Sequence, residues 1–253
     1  MRKGEARPDG RRDKLPAMAR RTKILLGIGL ALMVVIGGGA YWFLKDDAAP
    51  RANLDDAAAR ANDDTTDSTT GDTAAPIDSI EGEWAIGSGS FAGYRIDEVL
   101  AVGNNTATSR TDQVSGSLSV DDVTITDVSI VVAMDSLSST DGNGLRDGRV
   151  RDALDTANNA DATFALTAPI ELGGVPEAGE PITVLATGDL TLKGVTKSVE
   201  VTIDAQVEGT KLLVVGKAPV VLADYGIDKP SATRVVSIED EGELEFELIF
   251  ERA

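Results

Sequence analysis

From Glu83 onward, apolar and polar residues alternate with a period of two, the pattern of strands that bury one face. The alternation is clearest in Val199, Val201, Ile203, Ala205 and Val207. It returns in Leu244, Phe246, Leu248 and Phe250, interleaved with Glu245, Glu247 and Ile249. Weaker alternations cover 91–102, 114–120, 123–134, 163–170, 182–192 and 212–222, with Trp84–Ile86 opening the series. Turn residues separate them: Gly103-Asn104-Asn105, Asp121-Asp122, Gly173-Gly174, Lys193-Gly194 and Glu208-Gly209-Thr210. About eight or nine such strands fit an antiparallel meander that avoids open edges by closing into a barrel or a sandwich. Strands do not alternate with helical patterns, which argues against a parallel α/β sheet. The rhythm breaks at 141–161. There "DGNG" is a turn signal, and Leu145, Val150, Ala153 and Leu154 follow at roughly helical spacing, predicting a short helix that caps one barrel end.

Ahead of the strands, Ile24–Leu44 is an uncharged apolar run of 21 residues. As a helix it would span roughly 30 Å, the thickness of a bilayer core. Tyr41, Trp42 and Phe43 stand at its end, where amphipathic rings favour the membrane interface. Residues 1–23 hold nine Lys/Arg against three acids, which orients the N-terminus to the cytoplasm and the rest outside. A cleaved signal peptide is the rival reading, with Gly38–Ala40 as its cleavage site; the length of the run and its bulky end favour an uncleaved anchor. Residues 45–80 are rich in Asp, Ala and Thr, with Leu54, Ile77 and Ile80 as their only large aliphatic side chains, and read as a disordered acidic linker. The expected organisation is a basic cytoplasmic segment (1–23), a transmembrane helix (24–44), that linker (45–80) and a β-barrel domain (81–253).

The chain has a formal net charge of −18, and removing residues 1–23 leaves 15 basic and 39 acidic residues. Such an excess repels phosphate backbones, so no nucleic-acid partner is expected. The absence of Cys and His excludes thiol nucleophiles, His bases and His-ligated zinc. The outer domain therefore relies on its apolar core without disulfides, and it is long enough for that. "GSGSFAG" (87–93) leads into a strand and not a helix, so it lacks the amide nest of a phosphate loop. "DGNGLRDGRVRD" begins like a calcium loop but carries Leu145 at its fifth position and Asp152 at its twelfth. No metal and no cofactor are expected, and no pair of carboxylates is singled out by its spacing.

Three segments carry a resemblance to a known family: "GSFAGYRIDEVL" (89–100), "RDGRVRDALDTANNADATF" (146–164) and "GDLTLKGVTKSVEVTIDAQVEG" (188–209), supported by "ADYGI" (223–227). On these residues the stretch 82–251 resembles the YceI-like family, exported proteins with a lipocalin-like antiparallel barrel that bind polyisoprenoid or other long-chain lipids. The sequence departs from the family at Arg149, where relatives often carry His, and at Asn159-Ala160, where they tend to carry an aromatic-Pro pair.

The resemblance implies a closed, all-β, lipocalin-like barrel of about eight strands with a short helix. It also implies an apolar tunnel, whose candidate wall residues are Phe91, Tyr94, Val128, Ile130, Phe164, Leu166, Leu190, Leu192, Val201, Ile203, Tyr225 and Phe246. A barrel of this size can hold one apolar ligand or fill itself with side chains, and the pattern alone leaves both open. Arg146, Arg149 and Arg151 are candidates for the barrel mouth with three open roles. They can clamp an anionic headgroup, pair with Asp141, Asp147, Asp152 and Asp155, or meet anionic membrane lipids.

The expected function is a membrane-tethered, extracytoplasmic binding protein for a long apolar lipid, a polyisoprenoid first, which it stores or carries without chemical change. The expected partners are an isoprenoid or fatty-chain lipid and the membrane, through the N-terminal helix; a homodimer is one open oligomeric option. The alternative is a structural or interaction module of the cell envelope with a packed barrel. An enzyme ranks third, since nothing singles out a catalytic set.

Overall fold

The computed structural model describes residues 48–63, 79–230 and 235–253. The chain divides into two units, Met1–Lys45 and Asp46–Ala253, and the fold below is that of the second. The expected basic segment at 1–23 and transmembrane helix at 24–44 lie outside the described residues. Among the described residues, no helix is long and apolar enough to cross a membrane.

The first element is helix α1 (Leu54–Asp63). The strands follow as β1 (Gly82–Ile86), β2 (Phe91–Leu100), β3 (Gly103–Thr111), β4 (Val114–Asp121), β5 (Thr124–Ala133) and β6 (Ser138–Ser139). After helix α2 (Gly144–Leu154) come β7 (Asp161–Leu166), β8 (Ile170–Glu171), β9 (Ile182–Leu192), β10 (Val195–Glu208), β11 (Lys211–Val221), β12 (Val235–Ile238) and β13 (Glu241–Arg252).

Antiparallel pairing in the order β1-β4-β5-β7-β9-β10-β11-β13 returns from β13 to β1, so eight strands close into a barrel. β13 is the seam. One edge pairs with β11 from Leu212↔Phe250 to Val221↔Glu241; the other pairs first with β2 (Leu244↔Tyr94) and then with β1 (Ile86↔Phe250). The sequence marks 182–192 as a strand and β9 has those bounds, whereas the expected strand over 163–170 divides into β7 and β8.

Two expectations need correction. Gly103-Asn104-Asn105 is not a turn but the start of β3, paired as Leu100↔Gly103, Val99↔Asn104 and Glu98↔Asn105. β3 escapes a hydropathy reading because it is built from Asn, Thr, Ser and Arg, and because its outer face is covered by polar contacts from another part of the chain. That part is 48–63, which falls within the expected disordered linker and is instead folded against the barrel.

The order of this strap has local and tertiary causes. The Asn53 side chain accepts from the Asp56 amide at 2.9 Å, and its own amide donates to the Asp56 carboxylate at 2.8 Å, closing the N-terminus of α1 reciprocally. Asp55 and Asp56 in the first turn and Arg60 in the last suit the helix dipole. A helix of 10 residues is marginal alone. It is held because Ala57 and Ala61, one turn apart, pack on Leu213, Val215 and Ile249 of the outer wall. The expectation failed by weighing only large side chains: an alanine stripe buries little per residue but fits close to a sheet. Residues 64–78 of the expected linker lie outside the described residues.

The strap explains why β13 is buried on both faces. Glu245 and Glu247, which an outward position should expose, are 2% and 1% exposed. Glu247 forms an ion pair with Arg60 and accepts the Asn53 backbone N–H at 3.0 Å. Glu245 accepts from Arg110 Nε at 2.9 Å and from Nη2 at 2.7 Å, with Arg95 Nη1 at 3.4 Å. Arg95 also donates to the Ala49 carbonyl at 2.7 Å, and Arg110 to that of Pro50. Buried carboxylates are tolerated only with such partners.

Candidate functional site

The inward faces of the barrel strands enclose a cavity of about 200 Å³ lined almost wholly by apolar side chains. Its wall runs from Met134, Leu137 and Leu192 at the α2 end to Ile80, Leu172 and Pro176 at the other. Away from α2 the interior closes over a packed cluster of Ile80, Trp84, Leu118, Val120, Val207, Leu248 and Phe250. The Trp84 indole donates to the Ile80 carbonyl at 2.8 Å, and Arg252 stacks over the Trp84 ring at 4.7 Å while donating to the Glu81 carbonyl at 2.7 Å. Nearer the middle the packing is incomplete: Val128, Phe164, Leu166, Ile203 and Phe246 face inward yet are only half-buried. An interior filled by side chains would leave them no accessible surface.

Of the twelve candidate wall residues, ten line this cavity: Tyr94, Val128, Ile130, Phe164, Leu166, Leu190, Leu192, Val201, Ile203 and Phe246. Two do not, and both expectations are corrected. Phe91 is one residue out of phase with Ala92 and Tyr94, which face the lumen. Its ring lies on the outer wall between Arg110 at 4.2 Å and Arg60 at 5.1 Å, a cation–π sandwich beneath the strap. Tyr225 sits in a short 3-10 turn after β11 and packs with Ala162, Leu190, Leu192, Val220 and Ile227 at the α2 end, outside the cavity wall.

Beside this apolar cluster the α2 end carries a group of polar side chains. Tyr94 projects along the lumen face of β2, and its phenolic oxygen accepts from Ser109 Oγ at 3.1 Å. Burial raises the Tyr94 phenol above its ordinary pKa, opposed by the Ser109 hydrogen bond. On the same strand Glu98 is buried and accepts from Arg146 Nη2 at 2.9 Å and from Asn105 at 2.7 Å. Arg146 Nη1 donates to Asp141 at 2.6 Å. Burial works against the Arg146 charge, but the hydrogen bond and charge of Asp141, with Glu98, outweigh it and hold the guanidinium above its ordinary pKa.

Helix α2 buries no residue of its own. Asn143 caps it by accepting the Arg146 N–H at 3.2 Å, and Asp147 accepts from the backbone N–H of Ser139 at 2.7 Å. The three arginines therefore separate. Arg146 turns toward the barrel and pairs with Glu98 and Asp141, not with Asp147, Asp152 or Asp155. Arg149 is exposed and Arg151 half-exposed. Among the described residues, no group of three or more Asp or Glu is placed to hold a metal ion.

Periodicity located most of the wall but missed its glycines, Gly188 on β9 and Gly216 on β11. Phenylalanine rings lie against both (Phe164 and Phe246). Glycine at an inward position of a strand was the available signal.

Comparison with known proteins finds similar chains. A polyisoprenoid binding domain from Saccharophagus degradans implicated in plant cell wall breakdown superposes with a TM-score of 0.54 at 22% identity, covering 67% of this chain and 98% of that one. BcnA of Burkholderia cenocepacia gives 0.49 at 19% identity, covering 63% and 95%. A YCEI protein of Campylobacter jejuni gives 0.45 at 18%, covering 57% and 85%. A search of curated proteins returns no match. The family model described as the YceI-like domain matches residues 84–250, all but the edges of the barrel and well over half of the sequence; the chain belongs to the YceI-like family.

Proposed function

We propose that the barrel binds one long apolar lipid chain, a polyisoprenoid first, and stores or carries it without chemical change. The observation that carries this reading is the apolar cavity along the barrel axis, with half-buried phenylalanines on its wall. Each methylene moved from water into it gains about 0.8 kcal/mol, so a chain of ten or more carbons needs little help from its headgroup. The Saccharophagus degradans neighbour is named as a polyisoprenoid binding domain, which supports the same ligand class here.

In this reading the ten lumen-facing candidates contact the chain, while Tyr94 and the Arg146–Glu98 pair stand nearest its polar end. Both Arg146 amino groups are already engaged by carboxylates. A neutral head therefore fits better than a phosphate, which would have to displace one of them. The unit is held at a membrane by the 24–44 run, with the N-terminus cytoplasmic and the barrel outside. The support is the length of that run, its interfacial aromatics and the basic residues before it.

Native mass spectrometry of the full chain released from mild detergent, with extraction of bound lipid, tests the reading. A stoichiometric prenyl or acyl lipid is expected, along with a rise in melting temperature when a prenyl alcohol is added. A protein that carries no lipid and melts at the same temperature with prenyl alcohols, quinones and fatty acids is a packed envelope module instead.

A further inference from the structure

Two glycines on the lumen face have no conformational reason to be there. Gly188 and Gly216 both lie inside strands, and neither has a left-handed φ. Glycine inside a strand weakens it and marks a place where something approaches closely. At Gly216 the three nearest atoms all belong to one aromatic ring: a Cβ there would lie 2.2 Å from Cζ of Phe246, its direct cross-strand partner. At Gly188 a Cβ would lie 2.3 Å from Cζ of Phe164 and 2.6 Å from the Ala165 carbonyl oxygen. Phe164 is the diagonal neighbour, since Gly188 pairs with Leu166. Each ring thus lies down along the wall over a glycine instead of standing out across the lumen.

Both rings pack against one patch, Ile170, Ala186, Val201 and Ala218, so they occupy the same section of the barrel. Two of those four residues are alanines, which keeps the wall thin beside the rings. A strand the length of β9, 11 residues, extends roughly 3.3 Å per residue. A volume of about 200 Å³ drawn out over much of that length leaves room for one chain abreast.

We propose that Phe164 and Phe246, each seated on a glycine, form a collar that sets the bore of the lumen, admitting a single slender acyl or prenyl chain and refusing fused-ring lipids. The collar rests on the lipid-binding reading and adds to it what fixes the width. A side chain at position 216 lifts the Phe246 ring off the wall, and the free space for it is the lumen. Removing the rings widens the same section.

The test is photolabelling of the full chain in dodecyl maltoside with a diazirine-bearing palmitic acid, competed by geranylgeraniol or by cholesterol. The wild type is expected to be labelled, with geranylgeraniol displacing the probe and cholesterol failing to. Gly216→Ala should cut labelling by about tenfold or more, a small change in a filled bore being strongly felt. Phe246→Leu in that background should restore labelling, because it removes the obstructing ring while leaving the added methyl. A purely structural role for Gly216 would not be rescued in this way. The pair Phe164→Leu/Phe246→Leu should let cholesterol compete, an arm that does not depend on the glycine variant folding. Undiminished labelling of Gly216→Ala, loss without rescue by Phe246→Leu, or effective competition by cholesterol on the wild type overturns the collar while leaving lipid binding intact. A wild type that takes no probe overturns both.

Discussion

Arg146 on α2 reaches back to Glu98 on β2, an Nη2–Oε1 distance of 2.9 Å across 48 residues of sequence. This contact ties α2 to the strand that also carries Tyr94. Asp147, one position further along α2, ties it to β6 through the Ser139 amide.

Arg146→Ala is therefore expected to loosen α2 without unfolding the barrel. Among the described residues it leaves Glu98, 5% exposed, with Asn105 as its remaining side-chain partner, a loss of about 1–3 kcal/mol. Hydrogen exchange should show faster amide exchange across 144–154 and little change in β9 and β10. Equal acceleration throughout the barrel would contradict this local role.

The strap yields a second expectation. Arg60→Ala leaves the Glu247 carboxylate, 1% exposed, without its countercharge and with the Asn53 N–H still donating to it, and should cost about 1–3 kcal/mol in urea denaturation, Arg60 itself being partly in solvent. Replacing the carboxylate too, as Arg60→Ala/Glu247→Leu, should recover most of that loss. If the double variant is less stable than the single one, the ion pair is not what the buried glutamate needs.

Alkaline stability follows from Tyr94. Its folded pKa lies above its unfolded one, so the contribution is complete below the ordinary tyrosine value of about 10 and is lost as the pH climbs past it, because the unfolded chain releases its proton first. Tyr94→Phe has no proton to lose. Its melting temperature should fall less than that of the wild type between about pH 9 and 11. Parallel melting curves over that range would remove Tyr94 as the cause.

A hollow interior can also be tested without any ligand. Val128 is half-buried on the lumen wall. Val128→Leu should leave the melting temperature of the lipid-free protein unchanged or raised, where a packed core would lose about 1–3 kcal/mol to overcrowding. Phe250→Ala, in the sealed end at 1% exposure, should cost about 3–5 kcal/mol.

The lumen wall was legible in the sequence because a strand with one apolar face announces itself with period two, and ten of the twelve candidate residues follow that rule into the cavity. Phe91 broke it by phase, since Ala92 and Tyr94 hold the inward positions. The strap was hidden because its contacts are made by alanines and backbone carbonyls, which carry little hydropathy signal. One residue did point to it: Ile249 sits where β13 should present a polar side chain outward, and it is fully buried against α1. Charge counting within 141–155 included Asp141, one of the two partners of Arg146, but could not find Glu98, which comes from a distant strand.

The closing pairing of β1 with β13 joins the first strand of the ring to the last. Until β13 has docked, β1 and β11 both present unpaired edges and an apolar inner face. The β1–β13 contact is the longest-range strand pairing of the ring, reaching from Trp84 to Arg252, and pairings of that range form slowly. Loss of β13 alone would turn a closed ring into an open sheet prone to edge-to-edge association.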